Sequence, residues 1–360
     1  MNQIPSYRNV HNRFKLDGNS FTFNDLFEVA YSFIKEGKLH ERIIGDFLMD
    51  WINPNTDIVI KTSGSTGVPK FITYSKQAMV NSALATGDHF GLTIGCSALH
   101  CLSAEFIAGK MMLIRAMILG LELDLVPPKG NVLLGNNKEY DFVAMVPMQV
   151  NQALNQINQV KILLVGGTAP SNILIKELES KTTSSFVTFG MTETLTHIAS
   201  RSINLKEEAY RVLPGVDISI DDRGCLNIKA SYITEELIVT NDLITLETDT
   251  SFKLLGRVDN VINSGGVKLI PEEIEQKIST FISFPFFIGS IPDEKLGEKA
   301  LLILEGKKHS SDLLSKIEAE NILNAFQMPK ALVFVASFEY TDNGKLKRKA
   351  TISKLEEHPY

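Results

Sequence analysis

Thr62-Ser63-Gly64-Ser65-Thr66-Gly67-Val68-Pro69-Lys70 directly follows the apolar run Asp57-Ile58-Val59-Ile60. A strand that ends in a loop of Gly, Ser and Thr exposes several backbone N–H groups and hydroxyls at one point. That concavity suits a polyphosphate, and Lys70 adds a positive charge. A loop of this composition also serves as a plain link between a strand and a helix. Its ending excludes one kind of phosphate site. A Walker loop needs G-x-x-x-x-G-K-[ST], with the lysine immediately after the last glycine. In this chain Val68 and Pro69 separate Gly67 from Lys70, and Phe71 takes the place of the Mg-binding hydroxyl. Pro69 lacks an N–H and fixes φ, so the loop does not run smoothly into a helix wrapped around the phosphate.

Working outward, residues 21–51 read as helical, with apolar spacing at Phe27, Ala30 and Ile34 and again at Ile43, Ile44, Phe47 and Leu48. Beyond the loop, short apolar runs alternate with helix-like stretches. Strands are expected at 58–60, 98–102, 123–126, 142–146, 162–165 and 185–188, with helices at 75–90, 108–119 and 170–181. Such alternation implies βα units and a largely parallel sheet. After Arg211 the pattern changes to short strands (217–220, 225–228, 237–240, 252–255) with turns such as Asp222-Arg223-Gly224. A small α+β unit follows, whose helix opens at Pro271-Glu272-Glu273. The expected fold is therefore α/β. It has a large N-terminal domain (1–256) of mainly parallel sheets flanked by helices, plus a small β subdomain. A small, mobile α+β C-terminal domain (257–360) completes it.

Composition narrows the function classes. The 360 residues carry a net charge of -6, with 44% hydrophobic and 22% charged residues. This acidic balance gives no electrostatic footprint for nucleic acid or an anionic membrane. Cys96, Cys101 and Cys225 have no C-x-x-C spacing, which argues for a reducing compartment and against a zinc site. Residues 1–20 lack the apolar region of a secretory signal. The most apolar stretch, 111–121, is interrupted by Arg115 and too short for a bilayer. The expectation is a cytoplasmic enzyme, monomer or homodimer, acting on small molecules, with no nucleic acid and no membrane insertion.

Four further segments share the chemistry of the opening loop. Phe189-Gly190-Met191-Thr192-Glu193-Thr194 follows a strand; Gly190 allows a sharp turn, and Glu193 is a hard oxygen ligand suited to the Mg²⁺ of MgATP. A solvated loop carboxylate is the plainer alternative. Val165-Gly166-Gly167-Thr168-Ala169-Pro170 lets a flat base approach the backbone, and equally makes a tight turn. Thr240-Asn241-Asp242 ends a strand with a carboxylate that can accept from ribose hydroxyls, although Asn-Asp is commonly just a turn. Gly256-Arg257-Val258-Asp259-Asn260-Val261-Ile262-Asn263-Ser264-Gly265-Gly266 precedes the Pro271 helix, and Asn343-Gly344-Lys345-Leu346-Lys347-Arg348 comes much later.

Taken together and in order, these segments resemble the adenylate-forming superfamily of acyl-CoA synthetases, peptide-synthetase adenylation domains and luciferases, from about residue 57 to 350. The resemblance implies that Thr62, Ser63, Gly64, Ser65, Thr66, Gly67 and Lys70 hold the β,γ-phosphates of ATP. It implies that Thr192 and Glu193 bind the α-phosphate region and Mg²⁺. Gly166, Gly167 and Thr168, with Phe189 and Gly190, would flank adenine, and Asp242 and Arg257 would hold ribose. It further implies Asp259 as a hinge, Lys345 as the lysine of adenylation, and Ser264, Gly265 and Gly266 as the lining of a tunnel for the coenzyme A thiol. The chain departs from the family pattern at Phe189 (commonly Tyr), Asn241 (commonly Gly) and Asn260 (commonly Asp), and only 61 residues precede Thr62.

That trimmed N-terminus resembles a compact group within the superfamily, the o-succinylbenzoate–CoA ligases of menaquinone biosynthesis. So do Phe106-Ile107-Ala108-Gly109-Lys110-Met111-Met112-Leu113-Ile114-Arg115-Ala116 and Gly190-Met191-Thr192-Glu193-Thr194-Leu195-Thr196-His197-Ile198-Ala199. Their substrate carries a second carboxylate, which in a buried pocket needs a cation or a donor array. Arg115 is the first candidate, with Lys110 and His197 behind it. Arg115 reads equally as a surface residue whose stem lies along the helix. A ligase for another aryl or medium-chain acid, an adenylating enzyme that does not use coenzyme A, and a nucleotide-binding regulatory protein are the alternatives.

Overall fold

The computed structural model describes residues 4–62, 70–135, 137–306, 312–341 and 346–357. Near the N-terminus come β1 (Lys15–Leu16), β2 (Asn19–Ser20), α1 (Leu26–Glu36) and α2 (Leu39–Ile52). The single helix expected over 21–51 is thus two. Gly37 and Lys38 are extended between them, and the Glu41 carboxylate accepts from the Lys38 N–H at 2.5 Å to start the second.

The chain then forms β3 (Asp57–Thr62) and β4 (Lys70–Ser75), and continues through α3 (Lys76–Phe90), β5 (Ser97–His100), α4 (Ile107–Leu119) and β6 (Glu122–Leu125). Next come β7 (Tyr140–Met145), α5 (Pro147–Ala153), β8 (Val160–Val165), α6 (Asn172–Glu179) and β9 (Ser184–Gly190). A run of strands follows: β10 (His197–Ser202), β11 (Tyr210–Val212), β12 (Asp217–Ile220), β13 (Cys225–Ala230), β14 (Thr234–Thr248) and β15 (Ser251–Arg257).

Strands β1, β6, β5, β7, β8 and β9 pair in parallel, as the βα alternation predicts. At β9 the pattern switches. β10 pairs antiparallel to it, and β11, β15, β14, β13 and β12 continue antiparallel in the same 13-stranded sheet. The short strands expected after Arg211 therefore extend the large sheet rather than form a separate one. Helix α4 is apolar on nearly every side and is accordingly buried against α3. One core spans this whole region, from Phe14 to Phe252.

The hairpin β3–β4 stands apart as a two-stranded sheet. Ile58 pairs with Tyr74 and Ile60 with Ile72 on its inner face, while Val59 and Phe71 point outward. The chain thus doubles back after the loop instead of entering a helix. Helix α3 begins only at Lys76, where the Ser75 hydroxyl accepts from the Ala78 N–H.

A second sheet contains β16 (Ile262–Ser264), β17 (Val267–Leu269), β18 (Phe286–Asp293), β19 (Gly297–Glu305) and β20 (Ala331–Val335). Helices α7 (Pro271–Ile278), α8 (Leu313–Ala319) and α9 (Arg348–Glu357) belong to the same stretch of chain. Leu302 and Leu304 of β19 face one apolar cluster with Ile274 and Ile278 of α7, and Leu301 and Ile303 face another with Phe338. Among the described residues the three cysteines are unpaired. No helix among them is long and apolar enough to cross a membrane.

Candidate active site

β8 and β9 are parallel neighbours, so their C-terminal ends, the edge at which α/β sheets bind ligands, lie side by side before β10 returns antiparallel. Gly166-Gly167-Thr168 leaves the end of β8, with Gly167 at φ +86°. Phe189-Gly190 ends β9 beside it. Phe189 is half-buried and packs edge-on against Phe252 and Tyr210, at 5.2 and 5.8 Å between ring centroids. A side chain at Gly190 would lie 2.0 Å from the Thr196 carbonyl oxygen, so only glycine allows β10 to return this closely.

The return runs through a short 3₁₀ turn, Thr192–Thr194, and then a strained one. Leu195 is buried at φ 63° and ψ -57°, and the Thr196 N–H donates to the Thr194 carbonyl at 2.7 Å. This is the rare γ-turn geometry that side-chain-bearing residues hold only when their surroundings enforce it. The turn keeps Glu193 exposed and without an ion pair among the described side chains. The Tyr74 hydroxyl donates to the Thr192 carbonyl at 2.5 Å, which docks the β3–β4 hairpin against this turn. Burial and the nearby Glu193 push the Tyr74 phenol above its ordinary value, so it remains a donor.

Thr62 and Lys70 pair in register at the loop end of that hairpin. Ser63, Gly64, Ser65, Thr66 and Gly67 lie outside the described residues, as does Lys345.

Beneath the turn sits a buried polar cluster. Arg115 of α4 is 2% exposed, which excludes the reading of a surface arginine. Its Nε donates to Thr86 Oγ1 at 3.3 Å and its Nη2 to Thr196 Oγ1 at 2.9 Å. These bonds occupy two of five guanidinium donors, and no ion pair to a carboxylate is formed by Arg115 among the described residues. Burial lowers its pKa to about 9, so it remains cationic near neutrality. His197, at the start of β10 opposite Gly190, approaches the same Thr86 Oγ1 at 3.3 Å. Thr86 gives its one proton to the Ser82 carbonyl at 3.0 Å. Both Arg115 and His197 must therefore donate to Thr86, which places the His197 proton on Nε2 and leaves Nδ1 bare. Burial, then the Arg115 charge and His89, hold His197 well below the ordinary imidazole value. His89 in turn meets Ser200 Oγ at 2.8 Å.

Lys110 does not join this cluster. It donates to the Ala104 carbonyl at 2.6 Å and lies 5.1 Å from the Phe47 ring centroid, toward α2. The residues that sequence reading missed are Tyr74, Thr86, His89, Thr196 and Ser200. Thr86 sits on the buried face of α3, but helical spacing alone does not separate a core hydroxyl from a guanidinium partner.

A second group lies where β14 and β15 pair. Asp242 is opposite Arg257, whose Nη1 donates to Asp242 Oδ1 at 3.2 Å and whose Nη2 donates to Asp259 Oδ2 at 2.9 Å. Asp259 is held below the usual carboxylate range, chiefly by this arginine. Farther on, Gly265 and Gly266 form the two-residue turn of the β16–β17 hairpin, both with positive φ, next to the buried Ser264. No hydrogen bond among the described residues links Ser264, Gly265 or Gly266 to the Gly166–Glu193 edge.

The donor set suits magnesium bound mainly through substrate phosphates. Glu193 is an exposed carboxylate on the turn after β9, and the described residues contain no cluster of three or more His, Cys, Asp or Glu able to cage an ion.

Comparisons with known proteins bear on the family and the fold. A family model described as AMP-binding enzyme matches residues 50–229. The chain is 24% identical over 350 residues to a 2-succinylbenzoate–CoA ligase from Listeria monocytogenes, covering 89% of this chain and 74% of that protein. An acyl-CoA synthetase (AMP-forming)/AMP-acid ligase II-like protein from Dyadobacter fermentans is 34% identical, with a TM-score of 0.61, and the match covers 91% of this chain and 98% of the other. An o-succinylbenzoate CoA synthetase from Bacillus subtilis, in complex with the acyl-adenylate intermediate OSB-AMP, has the same fold. Its TM-score is 0.79 at 17% identity over 94% of this chain and 95% of the other.

Proposed function

The chain belongs to the AMP-binding enzyme family, and from that premise we propose that it is an ATP-dependent acid–CoA ligase acting on o-succinylbenzoate. The observation that carries this reading is the Tyr74–Thr192 bond, which holds the loop-bearing hairpin against the turn that presents Glu193. The strands that flank the candidate phosphate loop are thereby tied to the turn that carries Glu193, beyond the end of the parallel strand β9.

In the first half-reaction a carboxylate oxygen of the acid attacks the α-phosphorus of ATP. The bond from that phosphorus to the bridging oxygen breaks, and pyrophosphate leaves. In the second, the coenzyme A thiol attacks the acyl carbon, its proton passes to solvent, and AMP leaves. Both partners of the first step are anions, so catalysis is mainly positioning and charge neutralisation. Thr62, Ser63, Gly64, Ser65, Thr66, Gly67 and Lys70 would hold the β,γ-phosphates. Gly166, Gly167, Thr168 and Phe189 would flank adenine, and Asp242 and Arg257 would hold ribose. Glu193, with Thr192, would hold Mg²⁺, which supplies charge neutralisation at the phosphates. Residues 257–360 would act as a lid that brings in Lys345 for adenylation, then turns about Asp259 so that Ser264, Gly265 and Gly266 line the thiol's path. Cytoplasmic placement, as monomer or homodimer, fits the unpaired cysteines.

Arg115 favours an acid with a second carboxylate. A buried cation with spare donors and no acid of its own is costly unless a ligand pairs it. His197, neutral and held by Thr86, would border the same ring.

The test is pyrophosphate exchange into ATP dependent on added o-succinylbenzoate, followed by thioester formation on adding coenzyme A. Exchange with aryl monocarboxylates but not with o-succinylbenzoate would refute the substrate. Exchange without thioester would refute the coenzyme A step.

A further inference from the structure

Asp259 is tied to the large sheet by more than Arg257. The Asn241 Nδ2 donates to both of its carboxylate oxygens, at 3.2 Å each. The orientation of that amide follows from its other neighbour. Arg223 Nη1 can only donate, and it does so to Asn241 Oδ1 at 2.9 Å, so the NH₂ end must face Asp259. Arg223 is itself fixed by Asp221 Oδ2, 2.8 Å from its Nε, and by the Thr240 carbonyl, 2.9 Å from its Nη2. A chain of contacts thus runs Asp221–Arg223–Asn241–Asp259–Arg257–Asp242, all on strands or turns of the large sheet up to Asp259.

The very next residue is tied the other way. Asn260 Nδ2 donates to Glu272 Oε1 at 2.5 Å, at the start of α7 beside the second sheet. The side chains on either side of the Asp259–Asn260 peptide bond therefore hold different elements, Asp259 the strands of the large sheet and Asn260 the helix α7, which packs against both β15 and β18.

We infer that Asn241 is a positioning residue: it clamps Asp259 to the large sheet and so sets how readily residues 257–360 move relative to that sheet. This rests on the proposed turn about Asp259. Asp259 is exposed, so each contact is individually weak, and the expected effect of removing one is about threefold rather than a collapse. Asn241→Gly deletes the amide. Asn241→Asp sets a carboxylate against a carboxylate and should act more strongly in the same direction. Arg223→Gln should reproduce the glycine variant, because the amide loses the donor that orients it.

Two readouts decide the matter. The first is the ratio of thioester formation from supplied acyl-adenylate to acid-dependent pyrophosphate exchange, expected to change about threefold in Asn241→Gly. The second is independent of activity. In a Cys96→Ser background, nitroxides at Lys229→Cys and Ser315→Cys report the distance between the two sheets' surfaces. The distribution should be narrow in the parent and broadened by Asn241→Gly, with the melting temperature little changed. A ratio within twofold of the parent, or an unchanged distribution, overturns the inference. Absence of acid-dependent exchange in the parent defeats the ligase reading instead, and the distance distribution then decides the tether by itself.

Discussion

Arg115 shows how one residue can be a liability to the fold and an asset to a site. A cation held at 2% exposure among hydroxyls and an imidazole, with no carboxylate, gives up hydration without full repayment. Replacing such a charge with an apolar side chain of similar size commonly stabilises a protein. We expect Arg115→Met to raise the melting temperature by a few degrees, about 1 kcal/mol for a chain of this size. The same variant should raise KM for o-succinylbenzoate by about 10- to 100-fold, the loss of a charge-assisted hydrogen bond or two. KM for an aryl monocarboxylate should hardly move. Calorimetry and steady-state kinetics with both acids check this; equal loss for both acids, or a lower melting temperature, would mean that Arg115 is a packing residue. The importance of Arg115 was legible in the sequence because a lone charge interrupts an apolar helix. Thr86 and Thr196 were not, because each is ordinary in its own element and acquires meaning only when α3, α4 and the Leu195 turn converge.

At the scale of elements, the strands on either side of the loop, β3 and β4, pair antiparallel, so the chain passes from the loop into a strand rather than a helix. Pro69 foreshadowed that, and the run Phe71-Ile72-Thr73-Tyr74 has the β-prone composition of a strand. The parallel half of the large sheet was readable from βα alternation. The pairing of β9 with β10 was not, since it depends on a strained residue, Leu195, whose type gives no warning of positive φ. The hairpin matters because it is docked to that same turn by Tyr74. Tyr74→Phe keeps the ring and the inner-face packing against Ile58 while deleting the donor to Thr192. A net loss of about 1 kcal/mol in holding the loop against the Glu193 turn corresponds to about a fivefold change. KM for ATP should rise by about that factor, with KM for the acid unchanged. If ATP and the acid are affected alike, or neither is, the hairpin is not held in place by this bond.

The whole molecule divides its labour between two sheets that the chain joins over a few residues, from Arg257 at the end of β15 to Ile262 at the start of β16. The candidate base and ribose groups lie on the large sheet, the candidate acid groups Arg115 and His197 on α4 and β10, and the candidate phosphate loop connects the two strands of the hairpin beside them. The candidate adenylation lysine, Lys345, follows β20 on the second sheet and lies 275 positions after Lys70 in the chain. That separation has a kinetic consequence. A charge supplied by one part of the molecule, for one of two successive reactions at the same site, can be removed without harming the other reaction. Lys345→Ala should therefore slow pyrophosphate exchange by about 10²- to 10³-fold, the usual cost of losing a preorganised charge partner. Thioester formation from supplied acyl-adenylate should stay within about threefold of the parent, because in that step the phosphate already carries its acyl group and no two anions need to approach. Asn241→Gly provides the contrast, since it alters the balance between the half-reactions without removing a charge from either. Equal losses of both half-reactions in Lys345→Ala would place the lysine in the fold, or in binding the nucleotide throughout, and would remove the need for a lid that turns between steps.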